Sequence, residues 1–321
     1  MKRILLPLLL LAAMLPATAA TPMAKHVIMI GLDAWGSYSM PTADRPVVKT
    51  LMNNGAWTFE KRSVLPSVSA INWASMLMGA GPEMHGYTEW GSKTPELPSR
   101  VIEKNGIFPT IFQCVRNEYP EAEIGVIAEW DGIKHLVDSL SVSHLDGDYD
   151  YEHDPESSEK VCAAAERYIK EKKPDFCFVY FAEPDVTGHA IGHDTPEYYD
   201  VLAQLDDYIA RIVKAVVAAG MLDETIFIIT SDHGGIGKGH GGKTMEEMRT
   251  PFIITGKDIR QNKEIEECVA QYDVAATLAY IFGIKPPQVW SGRPIMSAFE
   301  DYTVPVEPAP EPQKDDKKKK K

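Results

Sequence analysis

Seven side chains that could bind metal ions or attack an ester are spread over most of the chain. They are three aspartates, three histidines and one serine: Asp33, Ser69, Asp185, His189, Asp232, His233 and His240. Such a set can hold two divalent metal ions beside an attacking oxygen, the arrangement used for in-line displacement at phosphorus. The residue types therefore predict a two-metal hydrolase site.

The three aspartates share a position relative to the sequence around them. Each follows an apolar segment that is typical of a buried strand, at 27–30, 178–181 and 226–229. In an open α/β sheet, ligands bind beyond the carboxyl ends of the strands. A single acid after a strand is more often a turn or cap residue. Three such acids, each with a histidine or hydroxyl nearby, instead indicate one shared site.

Apolar patterning predicts the elements that position these residues. Short, nearly continuous apolar segments predict strands covered on both faces, at 26–31, 123–128, 175–181, 225–230 and 251–255. Helical periodicity predicts helices at 48–54, 70–78, 158–172, 195–220 and 274–281. The sequence thus predicts an α/β fold with a central, mostly parallel sheet and helices on both faces. The loops at 86–100 and 131–155 are long for simple connections and predict a lid over the site.

Residues 1–19 have the features of a secretory signal peptide. Lys2 and Arg3 precede an apolar run at 4–15, and Ala17-Thr-Ala19 supplies the small residues of a cleavage site. The apolar run is too short for a comfortable membrane span. We therefore expect a periplasmic or secreted protein whose mature chain has no transmembrane segment, with a single-pass anchor as the alternative.

Residues 303–321 differ from the rest of the chain because they combine prolines with a run of lysines. A stretch with so few apolar side chains cannot bury enough surface to offset the entropy of ordering, so a disordered tail is expected. One large α/β domain accommodates the remaining residues. The hydrolase domain is therefore expected to span 20–302.

Charge and cysteine spacing narrow the class of partner and the kind of metal site. The formal net charge is −13, so binding to a nucleic-acid duplex is not expected, and metal ions would have to attract an anionic substrate locally. The four cysteines, Cys114, Cys162, Cys177 and Cys268, have no CxxC spacing. Buried free thiols are favoured, with one disulfide left open.

The chain resembles the alkaline phosphatase superfamily and, within it, the type I phosphodiesterase and nucleotide pyrophosphatase branch. The similarity runs from Val27 to about Ile295. It rests on five motifs, which are Gly-Leu-Asp33, Pro66-Ser-Val-Ser69, Glu183-Pro-Asp185 followed by His189, Ser231-Asp232-His233-Gly and Gly239-His240-Gly. The stretch at 273–283 is also similar to the final helix of that family. Each motif is weak alone, but together they are highly specific.

The resemblance implies that the seven residues are divided between two ions. One ion is surrounded by Asp33, Ser69, Asp232 and His233, and the other by Asp185, His189 and His240. Zinc is expected with nitrogen and carboxylate ligands, and manganese is the alternative. Ser69 is implied as the nucleophile that forms a phosphoserine, activated by a dication and by the N-terminus of its helix. Ser67 is the nearest rival.

Five further residues are candidates for substrate contacts: Asn72, Thr88, Trp90, Lys93 and Lys243. In the diesterase branch, an asparagine in the loop after a His-Gly pair contacts a phosphoryl oxygen, but no asparagine occupies 85–93 here. Asn72 or Thr88 could donate a hydrogen bond instead, and Trp90 could stack on a base. Lys93 or Lys243 would suit a dianionic phosphate.

The expected function is hydrolysis of a small phosphate ester or nucleotide by a phosphodiesterase or nucleotide pyrophosphatase, with a phosphomonoesterase as the alternative. A sulfatase is disfavoured because 67–72 lacks the proline and arginine of the C/S-x-P-x-R context. A phosphomutase would normally be cytoplasmic and carry a large inserted cap. A non-catalytic envelope binding protein would have no reason to keep all seven metal-site residues.

Overall fold

The computed structural model describes residues 22–40 and 45–302 of the chain. The signal peptide predicted at 1–19 and the tail predicted at 303–321 lie outside the described residues. Within the described ranges, no helix is both long enough and apolar enough to cross a membrane.

The described residues form one sheet of eight strands. The strands are β1 (His26–Asp33), β2 (Gly55–Arg62), β3 (Ile124–Ala128), β4 (His144–Asp146), β5 (Phe176–Pro184), β6 (Thr225–Thr230), β7 (Arg249–Gly256) and β8 (Lys263–Glu264). Their spatial order is β4-β3-β5-β1-β6-β7-β2-β8. β7 runs antiparallel to both of its neighbours, and the other pairings are parallel. β1 and β6 lie at the centre and are buried along their whole length.

Helices cover both faces of the sheet. They are α1 (Pro46–Asn53), α2 (Ser69–Met78), α3 (Pro82–His85), α4 (Ile111–Glu118), α5 (Ser157–Lys172), α6 (Asp185–Ala190), α7 (Pro196–Ala218), α8 (Met245–Met248) and α9 (Asp273–Ile281). Short 3-10 helices lie at Ser37–Ser39, Asp131–His135, Leu222–Glu224 and Met296–Ala298. α7 begins with the predicted cap, because the Tyr198 amide donates to the Thr195 side chain and Pro196 is the first helical residue.

A separate hydrophobic core lies on each face because consecutive residues of a strand point to opposite sides. From β1, Val27 and Met29 join the core that α2, α4 and α9 cover. Ile28 and Ile30 join the core that α5 and α7 cover. These layers confirm the predicted α/β class with its mostly parallel sheet.

The five predicted strands and five predicted helices are present, with ends that differ by a few residues. The apolar pattern does not predict β2, β4 or β8. β2 carries charged residues and is partly exposed, while β4 and β8 contain only three and two residues. All four cysteines are free thiols, and Cys162 and Cys177 are buried as expected.

Candidate active site

Four of the seven predicted residues lie together, buried at the carboxyl-terminal edge of the sheet, and form the buried group: Asp33, Ser69, Asp232 and His233. β1 ends at Asp33, α2 begins at Ser69, and the other two residues follow β6. His233 Nε2 lies 3.2 Å from Ser69 Oγ and 3.5 Å from Asp33 Oδ1. The same nitrogen lies 3.1 Å from Asp232 Oδ2. Each of the four residues is at most 8% exposed.

The other three residues form the cleft group: Asp185, His189 and His240. Asp185 and His189 lie one turn apart in α6, which follows β5 directly, and His240 lies in the loop between β6 and α8. His189 Nε2 lies 3.4 Å from Asp185 Oδ2, and His240 Nε2 lies 3.6 Å from Asp185 Oδ1. The His189 side chain is 49% exposed, so this group borders solvent.

The three imidazoles are oriented by backbone carbonyls. Nδ1 of His189, His233 and His240 lies 3.0, 2.9 and 3.0 Å from the carbonyl oxygens of Lys238, Gly234 and Ser67, respectively. A carbonyl only accepts, so each Nδ1 carries a hydrogen, and Nε2 is left with a lone pair directed into the site. The Nε2 atoms of His189 and His240 are 3.0 Å apart. Two lone pairs at this distance require a proton or a metal ion between them.

Two buried carboxylate oxygens also lack a donor. Asp185 Oδ1 and Asp232 Oδ2 have no hydrogen-bond partner within the described part of the chain. Buried polar atoms are rarely left unpaired, because an unmade hydrogen bond is costly. Unpaired carboxylate oxygens that face imidazole lone pairs form a donor set suited to zinc. The residues therefore fit the divalent ions that the family resemblance implies.

The structure places Asp185 between the two groups. In each of two sets of three residues, the possible ligand atoms lie within 4.8 Å of one another. The first set is Asp185, His189 and His240, and the second is Asp33, Asp185 and His233. The first set is the cleft group. The second contains Asp185 where the resemblance implies Asp232, although Asp232 Oδ2 contacts His233. Asp185 is thus near enough to contribute to both ion positions.

Crowded acids disfavour the fully ionised site when no cation is present. Burial raises the pKa of Asp232 well above its ordinary value. Burial, together with the charge of Asp185, raises the pKa of Asp33 to about 7. The hydrogen bond to Asp185 raises the pKa of His189 to about 9, so a proton can occupy the position between its Nε2 and the neighbouring ligands. Burial lowers the pKa of His240 to about 4.

Ser69 and Ser67 differ in what their hydroxyls contact. Ser69 lines the cleft, and its Oγ lies among the ligand atoms. Ser67 is fully buried, its Oγ donates to the Gly242 carbonyl at 2.8 Å, and the Gly241 amide donates to it at 3.2 Å. Ser67 therefore holds the loop that carries His240, which favours Ser69 as the nucleophile.

A cleft of about 720 Å³ opens beside Ser69 and the cleft group. Its walls include Trp90 from the loop at 86–100 and Tyr151 and Glu152 from the loop at 131–155. Both loops that were predicted to form a lid therefore border the site. Trp130 also lines the cleft, and the sequence pattern gave no reason to select it, Tyr151 or Glu152.

Of the five candidates for substrate contacts, only Trp90 lines the cleft. The Asn72 amide nitrogen donates to the carbonyls of Val64, Pro66 and Val68 at 3.0–3.3 Å, so this side chain fixes the segment before Ser69 and does not reach substrate. The Thr88 hydroxyl donates to Glu96 at 3.1 Å.

The two lysines among the candidates lie away from the cleft. Lys93 and Lys243 are both exposed, and neither is among the residues that line it. Lys243 instead borders a separate shallow hollow with Leu65 and Pro66. A contact between either lysine and the substrate therefore stays a prediction without support from the cleft lining.

Asp33 is positioned by two aromatic residues that the sequence pattern did not single out. Tyr180 Oη donates to Asp33 Oδ2 at 2.5 Å, and Trp73 Nε1 donates to the same oxygen at 3.1 Å. Gly31 makes room for the indole, because a Cβ there would lie 2.4 Å from Trp73. A glycine inside an apolar strand is a sequence signal for such a close approach.

The segment that carries Asp232 rests on a buried polar network. Lys61 Nζ donates to the Ser231 carbonyl at 2.7 Å and also to the Gln271 side chain. Gln271 Nε2 and Ser63 Oγ donate to the Asp232 carbonyl at 3.0 and 2.6 Å. Lys61 is fully buried, and burial lowers its pKa to about 7.

Comparisons of sequence and fold relate the chain to known proteins. The sequence model of the family described as type I phosphodiesterase / nucleotide pyrophosphatase matches residues 27–237. The mouse protein bis(5'-adenosyl)-triphosphatase enpp4 is 25% identical over 222 residues, which cover 66% of this chain and 47% of that protein. The 2,3-bisphosphoglycerate-independent phosphoglycerate mutase of Coxiella burnetii is 31% identical over 129 residues, 38% of this chain and 23% of that protein. The chain thus spans less than half the length of these curated relatives.

Solved structures share the fold. Murine ectonucleotide pyrophosphatase / phosphodiesterase 5 superposes with a TM-score of 0.66 at 15% identity, covering 82% of this chain and 96% of that chain. A 2-O GAG sulfatase superposes with a TM-score of 0.68 at 16% identity, covering 86% of this chain and 74% of that chain. Likeness at these identities concerns the fold alone. Because the family model matches well over half of its residues, the chain belongs to the type I phosphodiesterase / nucleotide pyrophosphatase family.

Proposed function

We propose that the protein is a two-metal phosphodiesterase that acts through Ser69. The observation that carries this proposal is the convergence of three imidazole Nε2 atoms and the carboxylate oxygens at 3.0–3.6 Å, with two buried carboxylate oxygens left without a donor. In a family of phosphodiesterases and nucleotide pyrophosphatases, such a site supports hydrolysis at phosphorus.

We assign the residues to the two ligand sets that the resemblance implies. The buried group would hold one ion and the cleft group the other, with zinc expected and manganese as the alternative. When bound, the ions would supply positive charge that lowers the pKa of the serine hydroxyl and of water and offsets the charge of the phosphoryl oxygens. Asp185 would contribute its second oxygen close to the buried group.

Ser69 Oγ would attack phosphorus in line with the leaving alcohol. The Oγ–P bond forms while the P–O bond to that alcohol breaks, the hydroxyl proton passes to solvent, and the alcohol takes up a proton. Water then attacks the phosphoserine, the P–Oγ bond breaks, and Ser69 regains its proton. Each turnover consumes one water molecule and releases an alcohol and a phosphate monoester.

The cleft favours a diester over a monoester. A monoester carries a second negative charge, and no lysine or arginine is among the side chains that line the cleft in the described residues. Glu152 also borders it and is, among the described residues, the one lining carboxylate that belongs to neither proposed ligand set. An uncompensated second charge is disfavoured in such surroundings. Phosphomonoester hydrolysis is therefore the second candidate.

Two relatives bear on the substrate and on location. The mouse relative is named as a bis(5'-adenosyl)-triphosphatase, and one structure of murine ectonucleotide pyrophosphatase / phosphodiesterase 5 is an inactive threonine-to-alanine variant in complex with AMP. These names support a small ester, with nucleotides among the candidates, and a hydroxyl at the reacting position. The signal peptide predicted at 1–19 supports export. N-terminal sequencing of protein from the periplasm or medium tests this, and a chain that keeps Met1 would contradict it.

The activity is tested on matched chromogenic esters. Purified protein is given bis(p-nitrophenyl) phosphate, p-nitrophenyl phosphate or p-nitrophenyl sulfate, each with zinc, manganese or a chelator. We expect the diester to have the highest kcat/KM and the chelator to abolish turnover. A higher kcat/KM for the monoester would identify a phosphomonoesterase, and turnover of the sulfate would identify a sulfatase. Absence of turnover with either metal would favour a binding protein.

A further inference from the structure

His193 is a buried histidine that the chemistry at phosphorus does not use. It follows α6, the helix of Asp185 and His189, and it is 5% exposed. Neither of its ring nitrogens has a hydrogen-bond partner within the described residues. Buried polar atoms without partners cost free energy, so this imidazole is not kept for a hydrogen bond to the protein. What it contributes to its surroundings is the shape of its ring.

The ring packs against two glycines from different segments. A Cβ added to Gly188 would lie 2.3 Å from the His193 ring, and a Cβ added to Gly235 would lie at the same distance from it. Gly188 directly precedes His189 in α6, and Gly235 lies in the loop that leads to His240. Neither glycine has a positive φ. The fold therefore uses these glycines for the room that they leave to the ring.

Backbone contacts tie the same two segments together. The His193 amide donates to the Gly237 carbonyl at 2.7 Å. Lys238 adds two contacts, because its Nζ donates to the Ala190 carbonyl at 2.8 Å and its own carbonyl lies 3.0 Å from His189 Nδ1. These contacts hold α6 and the loop of His240 together, while the His193 ring limits how closely they approach.

Tyr198 supports the ring from a third segment. The centroids of the His193 and Tyr198 rings are 5.6 Å apart. Tyr198 is buried in α7, and its hydroxyl donates to the Ala34 carbonyl at 2.8 Å and accepts from the Gly36 amide at 3.2 Å. The imidazole therefore packs against an anchored side chain that belongs neither to α6 nor to the loop of His240.

We propose that His193 is a positioning residue whose ring sets the spacing between α6 and the loop of His240, and thereby the fit of the cleft group to its ion. These two segments supply all three side chains of the cleft group. A metal site tolerates deviations of only about 0.2 Å in its ligand distances, so a small shift of one segment weakens it. The inference rests on the proposed two-metal function and adds a residue outside both ligand sets that controls one ion.

The test measures zinc affinity, so it does not depend on hydrolysis. Metal-free wild type, His193→Ala and His193→Phe are titrated with zinc against a competing chelator, and His189→Ala identifies which affinity belongs to the cleft group. We expect His193→Ala to weaken the ion of the cleft group by about 10–100-fold, as loss of support for metal ligands commonly does. The ion of the buried group should stay within about twofold, because its ligands come from other segments.

Two further variants show whether the shape of the ring is responsible. His193→Phe keeps a flat ring without the unpartnered nitrogens, so it should restore most of the affinity that His193→Ala loses. His26→Ala is the matched control, because His26 is also 5% exposed but contacts the Pro174 carbonyl at the start of β1. It should leave both zinc affinities unchanged.

A double-mutant cycle tests the contact between the ring and the glycine. Gly235→Ala places a methyl group where the His193 ring lies, so it should weaken the ion of the cleft group by about tenfold. In the His193→Ala background the space of the ring is free, and the same substitution should cost about twofold or less. A tenfold loss in both backgrounds would mean that the two residues do not act through each other, and it would overturn the proposal.

The remaining outcomes separate this inference from folding and from the proposed activity. Circular dichroism of the metal-free variants checks the fold, and Gly235→Ala carries the test if His193→Ala does not fold. Equal losses at both ions, or a loss in His193→Phe as large as in His193→Ala, would overturn the spacing role. A wild type that binds two zinc ions but cleaves no diester would contradict the proposed activity alone. Unchanged zinc affinities of the His193 variants in an active phosphodiesterase would contradict the role of His193 alone.

Discussion

The buried group and the cleft group contain similar side chains but are held by different parts of the fold. Asp33 ends a central strand, and Asp232 and His233 follow another, so their backbone belongs to the most buried part of the sheet. The cleft group depends on α6, which has six residues, and on the loop that carries His240. His189 is half exposed, whereas His233 is fully buried.

This difference indicates which half of the site is preorganised. Around the buried group, Tyr180 and Trp73 fix Asp33, and Lys61 and Gln271 hold the segment of Asp232. Around the cleft group, carbonyl contacts orient the imidazoles, but solvent reaches His189. We expect the buried group to keep its geometry without a metal ion and the cleft group to depend on one.

The largest expected effect is at the nucleophile, which belongs to the buried group. Ser69→Ala removes the attacking oxygen, so kcat should fall by about 10³-fold or more. Asp33, Asp232 and His233 remain, so the variant should still bind metal, as measured by elemental analysis. Ser67→Ala is the comparison, and it should cost less because Ser67 acts through the loop of His240. A Ser69→Ala enzyme within tenfold of wild type would exclude the phosphoserine route.

Tyr180→Phe tests the support of Asp33 alone. The substitution removes the 2.5 Å hydrogen bond to Asp33 and leaves the ring in place. Removing the hydrogen-bond partner of a metal-binding side chain commonly lowers metal affinity or activity by about 10–100-fold. We expect a loss of this size for one of the two ions, measured by metal titration of the apoprotein. Tyr168→Phe is the matched control, since Tyr168 Oη contacts Glu123 away from the site. Equal losses at both ions would mean that the two groups are not supported independently.

The sequence predicts the fold and the seven site residues because both leave local signals. Apolar strands, the Thr195 cap and acids after strands are each visible within a few residues. Tyr180 and Lys61 leave no such signal. Tyr180 faces Asp33 because β5 pairs with β1 in a register that sets Tyr180 opposite Gly31. A tyrosine in an apolar strand otherwise indicates core, and a lysine in a strand otherwise indicates surface.

The lining of the cleft could be predicted only at Trp90, because proximity along the chain does not determine where a side chain points. Asn72 lies one helical turn after Ser69, yet its amide points back to the preceding loop. Lys243 follows His240 closely, yet it borders a separate hollow with Leu65 and Pro66. Trp130 and Glu152 enter the cleft from segments without a motif. Loop conformation depends on contacts between distant segments, which periodicity does not encode.

Metal removal tests the comparison between the two groups directly. The cleft group is reached by solvent through His189, so its ion should leave first when a chelator is added. Dialysis followed by elemental analysis should give a species with one ion per chain before the metal-free protein. We expect the ion of the cleft group to be lost about tenfold faster than the ion of the buried group. His189→Ala should remove the first phase of this loss only. Loss of both ions in a single phase would contradict the difference in preorganisation.

The smallest expected effect concerns Lys61 and is a change in stability with pH. Burial lowers the Lys61 pKa from its ordinary value of 10.5 to about 7. Between these values the unfolded chain binds the proton and the folded chain does not, so stability rises with pH in this window. Lys61→Met removes that dependence. Between pH 7 and 10, the unfolding free energy of the metal-free wild type should therefore rise by about 1–3 kcal/mol relative to that of Lys61→Met. Denaturant titration at each pH measures this difference. The exposed Lys49→Met should run parallel to wild type because its ammonium stays in water. A Lys61→Met difference that does not change with pH would mean that Lys61 stays charged and supports Ser231 only as a hydrogen-bond donor.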